Sequence, residues 1–212
     1  MEKNQVDASR QLTERQLRSR EGLLDAGQSE FLDKGFEGTT LAGVAARAGV
    51  STATLHKYFA TKRTLFTGVV DRFWASGGRP PPLGDDPSLT LYRVGLDYAQ
   101  RLAAPEMPPL IRMMIAEIIR NPELGRELYE RGKKPYVERL EELLSAAAAQ
   151  GTMQVPDVTL AAHQFFGMIN NIIFWPRLLA PDLAPLPFKP EQVVGEAVTT
   201  FLARYENRES PH

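Results

Sequence analysis

The chain predicts an all-α protein, and three observations carry that expectation. Alternation of period two never persists for five residues, so half-buried strands leave no signature. Apolar residues recur instead at spacings of three, four and seven, as on one face of a 3.6-residue helix. Proline and glycine fall at the edges of those periodic segments, where helices begin and end. The 212 residues are 43% apolar, enough to build a packed core in one large domain or two modest ones.

Taken in order, the first helix is expected from about Ser9 to Lys34. Leu17, Leu24 and Phe31 repeat there every seven residues with Leu23 and Gly27 beside them, and Gly35 stops the run. A second helix should open at Thr39 or Thr40, whose hydroxyls can cap the free amides of "LAGVAARA", and end at Gly49. A third begins at Ser51 and closes near Tyr58 and Phe59. Thr61 then caps a fourth, "KRTLFTGVVDRFWAS", to about Ser76. The stretch "GGRPPPLGDDP" suits neither helix nor central strand, so it divides the chain into 1–76 and 77–212. Behind it lie the helical segments "SLTLYRVGLDYAQRLAA", "PPLIRMMIAEIIR", "PELGRELYERGKKPYVERLEELLSAAAAQ", "DVTLAAHQFFGMINNIIFWPRLLA" and "PEQVVGEAVTTFLARYENR". Pro108, Pro122 and Pro190 mark first turns, whereas Pro135 and Pro176 should break or kink the helices that contain them.

Charge separates the two parts. Formal net charge is only −1, yet residues 1–75 carry 11 Lys and Arg against 9 Asp and Glu, and residues 76–212 carry 14 against 17. Between Gly38 and Val70 stand four cations, Arg47, Lys57, Lys62 and Arg63, and no carboxylate. Attraction to a polyanion must therefore come from that window rather than from the protein as a whole.

Spacing within residues 40–59 gives the window a shape. Two short helices that cross steeply need a small residue at their contact, here Ala45, and a turn residue that tolerates positive φ, here Gly49. Val50, Leu55 and Phe59 supply apolar anchors on the second helix. This helix-turn-helix pattern leaves Thr52, Ala53, Thr54, His56 and Lys57 facing away from the core, as short donors and one imidazole for base edges in a major groove. An Ala-x-x-x-Gly spacing also occurs in ordinary bundles, and Lys57 and Lys62 would then be solvated charges.

At these residues the chain resembles the TetR-type transcriptional regulators. The motifs are "LLDAGQSEFLDKGFEGTT", "LAGVAARAGVS" and "TLHKYFATKRTLF", within a span from roughly Leu12 to Arg72. The resemblance implies an N-terminal three-helix DNA-binding domain followed by a larger helical domain for ligand sensing and dimerisation. It implies that Thr40 and Ser51 are phosphate-contacting caps, with Thr39 beside them in the DNA-binding set. Thr52, Ala53, Thr54, His56 and Lys57 become groove-facing, and Tyr58 and Lys62 become backbone clamps. The family usually has Gly-Thr-Leu-Tyr where this chain has Ala53, Thr54, Leu55 and His56.

The rear part is similar to the AefR-like subgroup through "IAEIIRNPELGRELYERG". Its "DVTLAAHQFFGMINNIIFWPRLLA" is apolar nearly all round and must be covered on more than one side. One face can pack inside the protomer and another against a twofold mate; the resemblance likewise implies a homodimer through the last two helices. Met113, Met114, Phe166, Phe174 and Trp175 form a soft, aromatic supply of lining for a small apolar or aromatic effector. Glu117, His163, Asn170 and Asn171 interrupt apolar stretches, and a ligand, a backbone carbonyl or a twofold mate could be the polar partner each needs. The expected function is a dimeric, ligand-responsive repressor on a near-palindromic operator in double-stranded DNA; a helical protein-interaction adaptor is the alternative.

Enzyme chemistry has little support. There is no cysteine, and GxSxG, P-loop, GxGxxG and HExxH motifs are missing. His56 and His163 lack a carboxylate three or four residues before them, and His212, three after Glu209, ends a polar tail. No cofactor or metal is expected. Without an apolar leader or an apolar run of about 18 residues, the expectation is a cytoplasmic protein that crosses no membrane.

Overall fold

Hydroxyls, carboxylates and prolines decide where the helices start. The computed structural model describes residues 14–75, 86–182 and 187–207. The Gly- and Pro-rich stretch, the first residues expected in the first helix, and His212 lie outside them. The described helices are α1 (Glu14–Gly38), α2 (Leu41–Arg47), α3 (Thr52–His56), α4 (Lys62–Ala75), α5 (Pro87–Ala103), α6 (Met107–Ile118), α7 (Pro122–Leu128), α8 (Lys134–Ala149), α9 (Val158–Ile173), α10 (Trp175–Leu179) and α11 (Pro190–Tyr205). Among the described residues the one β-type pairing is an isolated bridge between Met153 and Glu206. Thr40 caps α2 through the Gly43 amide, Ser51 caps α3 through Thr54, and Asp157 caps α9 through Leu160. Thr61 and Thr64 cap α4 reciprocally, each hydroxyl accepting the other's amide at 3.1 and 3.0 Å.

The chain forms two compact units, Met1–Val69 and Val70–His212. Their division falls inside α4 rather than in the Gly- and Pro-rich stretch that follows it. In the first unit, Phe31, Phe36 and Phe66 form a ring cluster with centroids 5.3 to 5.8 Å apart. Leu23, Leu24, Val44, Leu55, Phe59 and Leu65 fill the space around it. Leu17, expected on the same stripe, is instead 48% exposed. Gly35 does interrupt α1, with φ 72° and ψ 175°, but helical structure resumes to Gly38.

In the second unit, α5, α8, α9 and α11 pack around an aromatic series. Tyr98, Phe166, Phe165 and Phe201 follow one another at 4.7, 5.5 and 5.5 Å. Gly95 lets α5 approach closely, since a Cβ there would lie 2.9 Å from Val194 and 3.0 Å from Phe165. The expected breaks at Pro135 and Pro176 take specific forms. Between α7 and α8, Tyr129–Lys133 forms a π-turn. Helix α9 ends at Phe174 and α10 starts with Pro176 in its first turn.

Candidate functional site

The turn between α2 and α3 is closed by backbone alone. Gly49 sits at φ 67°, its amide donates to Ala46 O and the Val50 amide to Ala45 O. This pair of bonds satisfies the last carbonyls of α2 and requires a left-handed residue, which glycine adopts without strain. Ala45 is buried at the contact, and Leu55 and Phe59 anchor α3 beneath; Val50 is only half-buried. Thr52, Ala53, His56 and Lys57 are therefore exposed, and Thr54 and Tyr58 are half-buried.

The cations of this window are less free than their spacing predicts. Arg47 pairs with Glu30 at 3.0 Å and with Asp33 at 2.6 Å, both on α1. Glu30 also receives the Lys34 ammonium at 2.6 Å. That hydrogen bond, with Arg47 behind it, holds the Glu30 carboxyl below its ordinary pKa. The Lys62 ammonium donates to the Glu37 carbonyl at 3.1 Å and lies 4.7 Å from the centre of the Phe36 ring. Lys57 is exposed and has no hydrogen-bond or ion-pair partner among the described residues. A window without carboxylates in sequence thus acquires them in space, because α1 lays its acidic face against α2.

Thr39 differs from its exposed neighbour Thr40. Its side chain is buried, and its hydroxyl hydrogen bonds to the carbonyls of Glu30 and Gly35 at 3.0 and 2.8 Å. It ties the end of α1 down.

The second unit holds a cavity of about 290 Å³. Trp74, Tyr98, Tyr129, Phe174 and Trp175 supply rings to its wall, and Met107, Ile111 and Leu178 supply aliphatic surface. Ile115, Tyr129 and Trp175 are among the exposed large apolar residues of the chain and frame its mouth. Gly132 lets Trp74 lie against the π-turn, as a Cβ there would fall 2.7 Å from the indole. The polar groups are few. Tyr98 donates to Asn170 Oδ1 at 3.0 Å, and burial, opposed by that bond, pushes its phenol up to about 12.

Of the residues expected to line such a site, Asn170, Phe174 and Trp175 do so. The others are placed elsewhere. Phe166 and Met114 are fully buried core, and Met113 is half-buried off the cavity. His163 bonds its own helix at Thr159 O, and Asn171 is exposed. Glu117 is buried with Oε2 unpartnered among the described residues, away from the cavity wall. Helical spacing identifies an apolar face but not which neighbour it meets. For that reason the spacing does not mark Trp74, Tyr98, Tyr129 and Lys133, which line the cavity.

These two sites agree with comparisons to known proteins. Residues 23–69 match the N-terminal profile of bacterial regulatory proteins of the TetR family. Residues 89–207 match the C-terminal domain of AefR-like transcriptional repressors. Over 163 residues, 72% of this chain and 79% of the relative, it is 25% identical to the uncharacterized HTH-type transcriptional regulator YfiR of Bacillus subtilis strain 168. The solved structure of the flavonoid-responsive regulator FrrA aligns with a TM-score of 0.73 at 28% identity, covering 90% of this chain and 98% of that one. A TetR family transcriptional regulator from Pseudomonas syringae pv. tomato DC3000 aligns at 0.71 and 28% identity, covering 92% and 99%. With both halves matched in order, the chain belongs to the TetR family of transcriptional regulators, which are not enzymes, and carries an AefR-like C-terminal domain.

Proposed function

We propose that the protein is a ligand-responsive repressor that binds a near-palindromic operator as a homodimer in the cytoplasm and is released by a compact apolar or aromatic effector. The observation that carries this reading is the presence, on one chain, of an exposed α3 and a largely apolar cavity. Thr52, Ala53, Thr54, His56 and Lys57 are the groove-side candidates, with Thr40, Ser51, Tyr58 and Lys62 at the phosphates. Two copies would set their α3 helices about one DNA turn, roughly 34 Å, apart. Helix α4 gives Leu65 and Phe66 to the first unit's core and Trp74 to the cavity wall. A ligand that displaces Trp74 acts on that helix, and a coupling of about 1–3 kcal/mol suffices for a useful switch. The flavonoid-responsive relative supports an aromatic effector, and the match to a repressor domain supports repression.

The deciding experiment is selection of bound sequences from random duplex DNA, followed by competition with aromatic effectors. An inverted repeat should emerge, and its complex should dissociate as effector is added. Failure to retain any duplex, even at low salt, would falsify the reading.

A further inference from the structure

The π-turn and the first residue of α8 carry three cations, and two of them are matched. Arg131 pairs with Asp71 at 2.7 Å. Lys134 pairs with Glu130 at 2.5 Å and with Glu138 at 3.8 Å. Lys133, between them in sequence, lines the cavity. It is half-buried, and no carboxylate or carbonyl partners it among the described residues.

No Asp or Glu belongs to the cavity wall. Burial lowers the pKa of Lys133, as expected for a cation that has lost water and gained no counter-ion. Across the same cavity, Asn170 uses its Oδ1 to accept from Tyr98. This leaves the Nδ2 group as a donor with no partner among the described residues. The cavity therefore offers rings, aliphatic surface and hydrogen-bond donors, while the Asn170 carbonyl is already taken. A buried charge without a partner is unfavourable, and a charge-assisted bond to an oxyanion removes that penalty.

We propose that the cavity selects a compact hydrophobic acid, whose carboxylate pairs with Lys133 while its apolar body lies among Trp74, Tyr98 and Trp175. This rests on the reading of the cavity as the effector site and adds the charge of the effector. The volume lies at the lower end for ligand pockets, which suits a two-ring aromatic acid or a medium-length alkanoic acid.

The chain has two tryptophans, Trp74 and Trp175, and both line the cavity, so their emission reports occupancy. Naphthalene-2-carboxylate and decanoate should each be titrated against the full-length protein beside the corresponding primary amide, at neutral pH. In wild type each acid should bind at least about tenfold tighter than its amide, a ratio read directly from the two titrations. Lys133→Met keeps the stem and should bring the ratio to within about threefold; Lys133→Arg should preserve it. Equal binding of acid and amide in wild type, or an unchanged ratio in Lys133→Met, overturns the proposal and leaves a neutral effector. If no acid and no amide changes either emission or melting temperature, the effector-site reading falls with it. Whether the naphthoate or the decanoate pair shows the larger ratio separates an aromatic from an aliphatic body.

Discussion

At the scale of single residues, the cations around α3 divide by what they touch. Lys57 is exposed and unmatched among the described residues, so its charge remains available to DNA. Lys57→Ala should weaken binding to the operator more than to random DNA, with the melting temperature unchanged. Lys62 differs because it already spans the Glu37 carbonyl and the Phe36 ring. Lys62→Ala should lower stability by about 1 kcal/mol, measured by denaturant titration, through loss of that packing as well as charge. His56, exposed on the same helix, should alter operator preference when replaced while leaving the affinity for random DNA intact. Tyr98 gives a test in alkali. Its phenol ionises near 10.0 when unfolded and at about 12 when folded. The folded state therefore holds the proton longer, so this contribution is complete below pH 10 and is lost as pH rises toward 12. Two units correspond to about 3 kcal/mol, and Tyr98→Phe should flatten the pH dependence of the denaturation midpoint across that window. None of these distinctions is visible in the sequence, where Lys57 and Lys62 are two lysines five positions apart and Thr39 and Thr40 are two threonines. Burial separates them.

At the scale of elements, the sequence was most informative where local chemistry alone decides. Thr40, Ser51 and Thr61 open α2, α3 and α4 as their hydroxyls predict, and Gly49 closes α2. These features depend on a few neighbouring atoms and need no tertiary information. The π-turn was legible only in part. Pro135 lacks an amide, which predicts a break, but the structure widens the preceding turn so that the Lys134 amide reaches Tyr129 O. The widened turn brings Tyr129 and Lys133 to the cavity wall. Gly132 is the residue that makes this possible, with the Trp74 indole against its Cα. Gly132→Ala would place a methyl 2.7 Å from the ring, so the indole must move. The expected result is a shift in tryptophan emission and a loss of about 1–3 kcal/mol in denaturant stability, with the residues of α3 untouched. A variant whose emission matches wild type would show that the ring does not rest there.

At the scale of the whole molecule, the expectation of an α9 that is covered on more than one side meets a helix with one side still open. Phe165, Phe166, Ile169 and Ile173 are buried within the protomer. Leu160, Gln164, Gly167 and Asn171 form an exposed line at spacings of four, three and four, with Leu160 54% exposed. On α11, Gln192, Glu196, Thr199 and Ala203 form a comparable exposed line. Small residues lie within these surfaces, and a Cβ added at Gly167 or Gly195 would meet nothing within 4 Å. That emptiness gives a test which separates assembly from folding. An arginine at 167 fits the isolated protomer without a clash, and it removes a helical glycine that disfavours the helix by about 1 kcal/mol. Its thermal stability as a protomer should hold or rise. Two copies that pair through α9 and α11 would instead have to accommodate two guanidinium groups at their closest approach, unpaired and desolvated. Gly167→Arg should therefore sediment at the mass of one chain where wild type sediments at two. Its operator affinity should drop toward the level of random DNA, because a single α3 reads only half a site. A Gly167→Arg protein that stays dimeric and keeps full operator affinity would move the interface to another face of the second unit.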